Sequence, residues 1–297
     1  LNGFCLRAVT GKLPGHFYGV FVMLRRRSPL ISSACLALAL SHLAGCSDTP
    51  PPVPRETGAD AAGHVAATPA TLAHHANLRK QLPLDDQTDF QQARRGFIAA
   101  PTSLQVSTAA GEVAWNLPAY SFIEGEAPET VNPSLWRQAQ LNGIHGLFEV
   151  TEGIYQLRGF DLANLTLIDS DSGWILVDPL TTAATSRAAM AFAREQLGDK
   201  KVVAVIFTHS HIDHFGGVRG VINEEDVAAG EVEVIAPLGF MQEAIGENVY
   251  AGNAMSRRAG FQYGRVMPSS PFGQVDSAIG KGLSAGTTGL IAPSIVV

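Results

Sequence analysis

Between residues 153 and 236, short apolar runs alternate with turn residues and one longer amphipathic stretch. Residues 153–157, 162–168 and 174–177 are rich in Leu, Ile, Val, Tyr and Trp and too short for helices, which predicts strands. Asp171-Ser172-Gly173 between the last two is hairpin chemistry, and Asp178-Pro179 stops the third strand. Thr182 then caps a predicted helix running to Leu197, with Ala189, Met190, Ala193 and Leu197 on one face and Gly198 as the stop. Residues 202–207 are apolar and mostly β-branched, a buried strand, and residues 232–236 read as another. Strand, hairpin, helix, strand is the pattern of an α/β layer.

Outside this block the periodicity is weaker. Phe90, Ala93 and Phe97 suit a short amphipathic helix broken at Gly96, with Arg94-Arg95 as its solvated face. Residues 115–123 form an apolar run. Residues 133–141 predict a helix with Pro133 in its first turn, and residues 238–246 another. A third helix, capped by Asn253 and stopped at Gly264, would place Met255, Arg258, Ala259 and Gln262 on one face and turn Arg257 away. An arginine on such a face needs an anion. A structural carboxylate is the commoner partner, and a substrate oxyanion is the functional one.

Composition bounds the partners. The net charge is −6, yet five of the 21 basic residues and none of the 27 acidic ones lie in residues 1–46, so the remainder carries 16 against 27. An acidic body argues against a nucleic-acid partner. All three cysteines (Cys5, Cys35 and Cys46) fall in the same leader, leaving no disulfide framework and no thiolate ligand in the body. Met23 with Arg25-Arg26-Arg27 is a basic n-region, and residues 29–43 are an apolar segment too short to span a bilayer comfortably. It ends in Leu43-Ala44-Gly45-Cys46, which looks like a lipoprotein cleavage box with Cys46 as the lipidated residue. The expected organisation is an upstream segment at 1–22, a signal peptide at 23–46, a Pro/Ala/Gly-rich tether at 47–71, and a catalytic domain from 72 onward. The body is therefore expected to be exported, at the periplasmic face of a bacterial membrane.

The candidate chemistry sits directly after the 202–207 strand, in Thr208-His209-Ser210-His211-Ile212-Asp213-His214-Phe215-Gly216-Gly217. Three imidazoles and a carboxylate are the nitrogen and oxygen donors that Zn²⁺ accepts. In an extended tip His209 and His211 point the same way and can share one metal, while Asp213 and His214 reach a second. Gly216-Gly217 allows a tight turn. A strand's C-terminal end is where ligand sites gather in such sheets. His145 is remote from the cluster and expected to be structural; His64, His74 and His75 are assigned no role. No histidine follows His214, and none of the later carboxylates (Glu224, Glu225, Asp226, Glu231, Glu233, Glu243, Glu247, Asp276) forms a ligand-like cluster in sequence.

The His-x-His-x-Asp-His spacing after a strand resembles the metallo-β-lactamase superfamily, which implies an αββα sandwich and a binuclear zinc site. Together with Asp89-Phe90, Arg94-Arg95-Gly96-Phe97 and the Asn253-Ala254-Met255-Ser256-Arg257-Arg258 block, it is similar to the zinc-dependent alkyl sulfatases of that superfamily. The resemblance runs from about residue 75 to the end. It implies hydrolysis of alkyl sulfate esters to alcohol and sulfate by a homodimeric enzyme. His209, His211, Asp213 and His214 would hold two zinc ions, with Asp213 also the catalytic carboxylate. Asp178 would support the metal loop from behind, and Arg258 would neutralise the sulfate. The resembled enzymes complete their site with two glutamates and a histidine from beyond the point where this sequence stops. The sandwich is therefore expected to be incomplete on its C-terminal side, and the activity is expected of a longer parent, with this chain alone inactive. The competing expectations are a β-lactam, thioester or lactone hydrolase of the same superfamily, and a non-catalytic surface-binding lipoprotein.

Overall fold

The computed structural model describes residues 58–297. The leader, Cys46 and the first part of the tether lie outside the described residues. The strands are β1 (Phe97–Ala99), β2 (Gln105–Ser107), β3 (Val113–Asn116), β4 (Gly146–Thr151), β5 (Ile154–Arg158), β6 (Leu165–Ser170), β7 (Gly173–Val177), β8 (Val202–Ile206), β9 (Glu233–Ala236) and β10 (Ile295–Val296). Eight of them make one mixed sheet in the order β1-β4-β5-β6-β7-β8-β9-β10, and β2 pairs with β3 alone. Pairing is antiparallel from β1 to β7 and parallel from β7 to β10.

The parallel crossover from β7 to β8 is the predicted helix, α4 in chain order, after α1 (Pro69–Gln81), α2 (Thr88–Arg94) and α3 (Pro133–Leu141). It spans Ala183–Leu197; Thr182 caps it by accepting from the Thr185 N–H, and Gly198 ends it at φ 95°. Its buried face contains Ala189, Met190 and Ala193, as the apolar spacing requires. That face packs with the fully buried Leu157, Leu165, Leu167, Trp174, Leu176 and Val205 of the sheet. Burying one such leucine is worth about 1.5–3 kcal/mol. A smaller cluster of Ile123, Val131, Trp136, Ala139 and Val275 closes the α3 side.

Two polar residues on the same helix face, Thr185 and Ser186, are also fully buried. Apolar periodicity gives no reason for them. For Ser186 the reason is the Pro179 carbonyl, to which its hydroxyl donates; for Thr185 it is Asp161, 4% exposed, which lies in the bend before β6. Its carboxylate accepts from the backbone N–H of Leu162, Thr181 and Ser284 and from the hydroxyls of Thr181, Thr185 and Ser284. One side chain thus ties the β5–β6 bend, the start of α4 and the 284 loop together. This bend also explains why the predicted strand at 162 begins only at Leu165.

Other expectations shift. Phe97 does not continue the helix but opens β1, because Gly96 (φ 71°) lies so close to β4 that a Cβ would sit 1.9 Å from the Glu149 carbonyl oxygen. The apolar run at 115–123 divides into β3 and a 3₁₀ turn at Leu117–Tyr120. α1 begins at Pro69 behind a Thr68 cap, inside the stretch read as tether, and His64 stacks on Phe272 with ring centroids 4.5 Å apart. His75, given no role from sequence, is buried with Nδ1 3.0 Å from the Glu129 carbonyl oxygen. Among the described residues no helix is long and apolar enough to cross a membrane.

Asp161→Ala would strand six buried or half-buried donors, each costing about 1–3 kcal/mol when unpaired. We expect a loss of at least about 3 kcal/mol in urea unfolding. A loss below about 1 kcal/mol would show that water replaces the carboxylate.

Candidate metal centre

The motif is held at both ends by aromatic packing. β8 runs into Phe207 and the loop closes in a one-turn helix, α5 (Ile212–Phe215), with His211 at its N-cap position. Beyond β9, after α6 (Glu224–Ala228), helix α7 (Phe240–Ile245) contributes Phe240. Its ring centroid lies 5.1 Å from that of Phe207 and 5.5 Å from that of Phe215, which are themselves 6.1 Å apart. Fixing both ends of the loop to one cluster removes most of its freedom before any ligand arrives.

Gly216 and Gly217 have negative φ, −59° and −86°, so their freedom to adopt left-handed backbone is unused. They are needed for space. A Cβ on Gly216 would lie 2.3 Å from the Thr181 carbonyl oxygen, and one on Gly217 would lie 2.1 Å from that of Pro179. The loop is pressed directly onto the chain between β7 and α4.

That chain contains Asp178, whose φ is +56°, followed by the buried Leu180 at +61°. An aspartate tolerates the left-handed region; a buried leucine is there only because its surroundings compel it. Parallel pairing brings the ends of β7 and β8 level, with the Asp178 N–H donating to the Ile206 carbonyl at 3.0 Å. One carboxylate oxygen accepts from the Thr208 N–H at 2.9 Å. The other accepts from the Thr208 hydroxyl at 2.7 Å and from His214 Nδ1–H at 2.8 Å. Asp178 therefore stands directly behind the loop.

These bonds decide tautomers. The Thr208 hydroxyl spends its one hydrogen on Asp178, so it accepts from His209 Nδ1–H, 2.9 Å away. His209 then presents a bare Nε2, and His214, donating through Nδ1, also turns Nε2 toward the loop's open side. The rings cluster, with centroids 4.7 Å apart for His209 and His211 and 4.1 Å for His209 and His214. Asp213 Oδ2 lies 3.2 Å from His214 Nε2.

Charge follows from this arrangement. Burial alone would push the His214 pKa down, but the hydrogen bonds and charges of Asp178 and Asp213 prevail and raise it to about 9. For Asp213 burial works upward, and the bond to His214 outweighs it and lowers the pKa. His209 is lowered, by burial first and then by the neighbouring imidazoles. The donor chemistry thus fits a zinc-like cation: three imidazoles and a carboxylate on one loop, with two tautomers already set. The convergence does not yet match a bound ion, since among the described residues no three His, Cys, Asp or Glu side chains form a metal-holding group. Asp213 and His214, expected to share a cation, instead face each other across a proton.

Of the remaining candidates, Arg258 departs from expectation. Its helix, α8 (Gly252–Gln262), buries no residue, and Asn253 lies inside it; the preceding π-helical turn Gly246–Tyr250 runs straight into the helix and leaves no separate cap. Arg258 is exposed and touches Met255 Sδ at 3.8 Å. Two groups were missed. Glu247 Oε1 comes within 3.7 Å of His211 Nε2. Tyr263 lies near enough that the Asp213 charge, after burial, raises its phenol pKa. Nothing in the local sequence marks Tyr263. Glu247 carries a signal, being seven residues from Phe240 and so on the same helical face two turns on.

Residues 158–294 match the metallo-β-lactamase superfamily. The chain is 49% identical, over 78% of its length, to a linear primary-alkylsulfatase and to an (R)-specific secondary-alkylsulfatase, both from Pseudomonas, and covers 35% of each. It is 46% identical over 77% of its length to an alkyl/aryl-sulfatase of Saccharomyces cerevisiae, covering 36% of it. Among solved structures, a stereoselective inverting sec-alkylsulfatase from Pseudomonas superposes with a TM-score of 0.75 at 48% identity, over 78% of this chain and 37% of that one. The chain spans roughly a third of the length of these relatives.

Because the folded pKa of His214, about 9, lies above its ordinary 6.5, the folded chain holds this proton more firmly than the unfolded chain. The resulting stability is complete below 6.5 and is lost as pH rises through about 9. Urea midpoints of the metal-free protein should fall across that window. In His214→Asn the fall should vanish; an equal fall in the variant would assign it to another group.

Proposed function

We propose, from the match of residues 158–294 to the metallo-β-lactamase superfamily, that the protein belongs to that superfamily and hydrolyses alkyl sulfate esters to an alcohol and sulfate. The observation that carries this reading is the Asp178-braced loop, which sets His209 and His214 with Nε2 outward beside His211. The identity of 49% to relatives named for primary and for secondary alkyl sulfates supports the ester class without choosing between primary and secondary esters.

In this reading His209 and His211 hold one zinc ion and Asp213 and His214 a second. Zinc, when bound, supplies the Lewis acidity that makes water a competent nucleophile near neutral pH and polarises the ester. Asp178 keeps both Nδ1 protons in place, directly on His214 and through Thr208 on His209, so that neither ring turns away. Asp213, now paired with His214, would be a ligand and the catalytic carboxylate. Arg258, exposed and without a carboxylate partner among the described residues, is available to the anionic sulfate. The same proposal includes export with Cys46 as a lipid anchor on the periplasmic face of the membrane, and assembly as a homodimer.

The test is sulfate release from a series of primary and secondary alkyl sulfates by the protein at the length of its relatives. β-Lactam, thioester and lactone substrates are run beside them. We expect release from at least one alkyl sulfate, abolished by chelation and restored by zinc. Asp178→Ala should lower the rate by about 10–100-fold, the scale at which supporting partners act, and His209→Ala by at least as much. Turnover of only a lactam, thioester or lactone, or of nothing, would overturn the assignment.

A further inference from the structure

His211 is the one imidazole of the cluster that Asp178 does not reach, directly or through Thr208. We propose that Glu247 is its positioning residue, a carboxylate that holds the proton on His211 Nε2 and so leaves Nδ1 as the nitrogen that faces the metal. The inference rests on the metal-site reading above and deepens it: His209 and His214 would bind through Nε2, His211 through Nδ1.

The geometry begins with α7. Phe240 and Ala244 are its buried face, and Phe240 lies against Phe207 and Phe215, the two ends of the loop. Glu247 follows this face along the chain, so it emerges over the loop that Phe240 anchors. At this place the helix widens into the π turn Gly246–Tyr250, where the Ala251 N–H donates to the Gly246 carbonyl five residues back at 2.9 Å. Asn248 Nδ2 donates to the Ala244 carbonyl at 2.9 Å, occupying an acceptor beside the widened turn. π turns inside helices occur frequently at functional sites, where they re-aim a side chain. The side chain aimed here is Glu247, 24% exposed, with Oε1 3.7 Å from His211 Nε2. That is ion-pair distance, and a shift of about 0.5 Å brings it to hydrogen-bond length. A histidine that binds metal through one nitrogen almost always donates its other N–H to a carboxylate, carbonyl or water, and loss of that partner costs 10–100-fold in metal affinity. Glu247 stands where such a partner belongs. Neighbouring Glu243 is exposed, makes no ion pair with the imidazoles among the described residues, and supplies a control of equal charge.

The experiment compares the wild-type chain with Glu247→Gln, Glu247→Ala and Glu243→Gln. Cobalt(II) is the probe, followed by its visible absorption and by equilibrium dialysis. The histidine ring tautomers of the metal-free proteins are read by long-range ¹H–¹⁵N spectra at alkaline pH. We expect about 10–100-fold weaker cobalt binding in both Glu247 variants, wild-type binding in Glu243→Gln, and unchanged urea midpoints throughout. His211 should carry its proton on Nε2 in the wild type and distribute it over both nitrogens in Glu247→Ala. A proton on Nδ1 in the wild type overturns the proposal, as does cobalt affinity unchanged in Glu247→Ala. If wild type binds no cobalt while the tautomer still depends on Glu247, the positioning role stands and the metal reading fails.

Discussion

Everything around the candidate centre depends on where the Asp178 carboxylate stands. Its backbone is held at φ +56° by the parallel junction of β7 and β8, and each of its oxygens is committed to the loop that follows β8. It braces Thr208 at one end of the motif and His214 at the other, across six residues of chain, so the loop is closed into a ring by one side chain. Left-handed backbone at Asp178 and Leu180 costs of order 1–3 kcal/mol at each residue. The cost is offset by what surrounds it. The Gly217 N–H donates to the Leu180 carbonyl, the Gly289 N–H donates to the Gly216 carbonyl, and Asp161 secures Thr181 immediately downstream. Strain at the site is thus carried by a hydrogen-bonded frame that does not itself touch the imidazoles.

The parts of this arrangement that follow from period and capping were legible in the sequence. The strands from 153 to 177, the Asp171-Ser172 hairpin, the Thr182-capped helix and the strand before the motif all rest on local signals: alternation, a turn pair, a cap, a β-branched run. The supporting place of Asp178 was suggested only by resemblance, because a turn aspartate before a proline reads equally well as punctuation. What stayed hidden depends on contacts between residues far apart in the chain. Thr185 sits on an apolar helix face because Asp161, more than 20 residues earlier, needs a donor there, and Ser186 because the Pro179 carbonyl does. The break at Gly96 was legible, but not that Phe97 then opens β1, because β4 passes within contact distance of Gly96, which no window of local sequence records. The approach of Glu247 to His211 stayed hidden for the same reason, since that partner is 36 residues upstream and reached through the packing of Phe240.

Helix α8 shows the opposite error. Its spacing predicts an amphipathic face, yet it buries nothing among the described residues, and Phe261, Tyr250 and Leu238 around it are 91%, 86% and 85% exposed. Periodicity reports which side of a helix would be covered, not whether anything covers it. The Asn253 to Arg258 block is therefore a solvent-facing surface in this structure, and Arg258 keeps an unneutralised charge beside it.

The electrostatics of the loop bind these observations into one constraint. Asp178 and Asp213 flank His214 on its two nitrogens, at 2.8 Å and 3.2 Å, and two carboxylates so close require a positive charge between them. In the metal-free chain the second proton of the imidazole supplies it, which is why the group stays protonated to about pH 9. A divalent cation would satisfy the same field more fully, but only by displacing that proton, so metal and proton compete for one place. Asp178 would keep its bond to Nδ1 in either state, while Asp213 would exchange partners. The carboxylate that would stay is the one built into the strained junction; the one that would turn lies on the single-turn helix α5, which Phe215 and the His214–Asp178 bond hold at its C-terminal end.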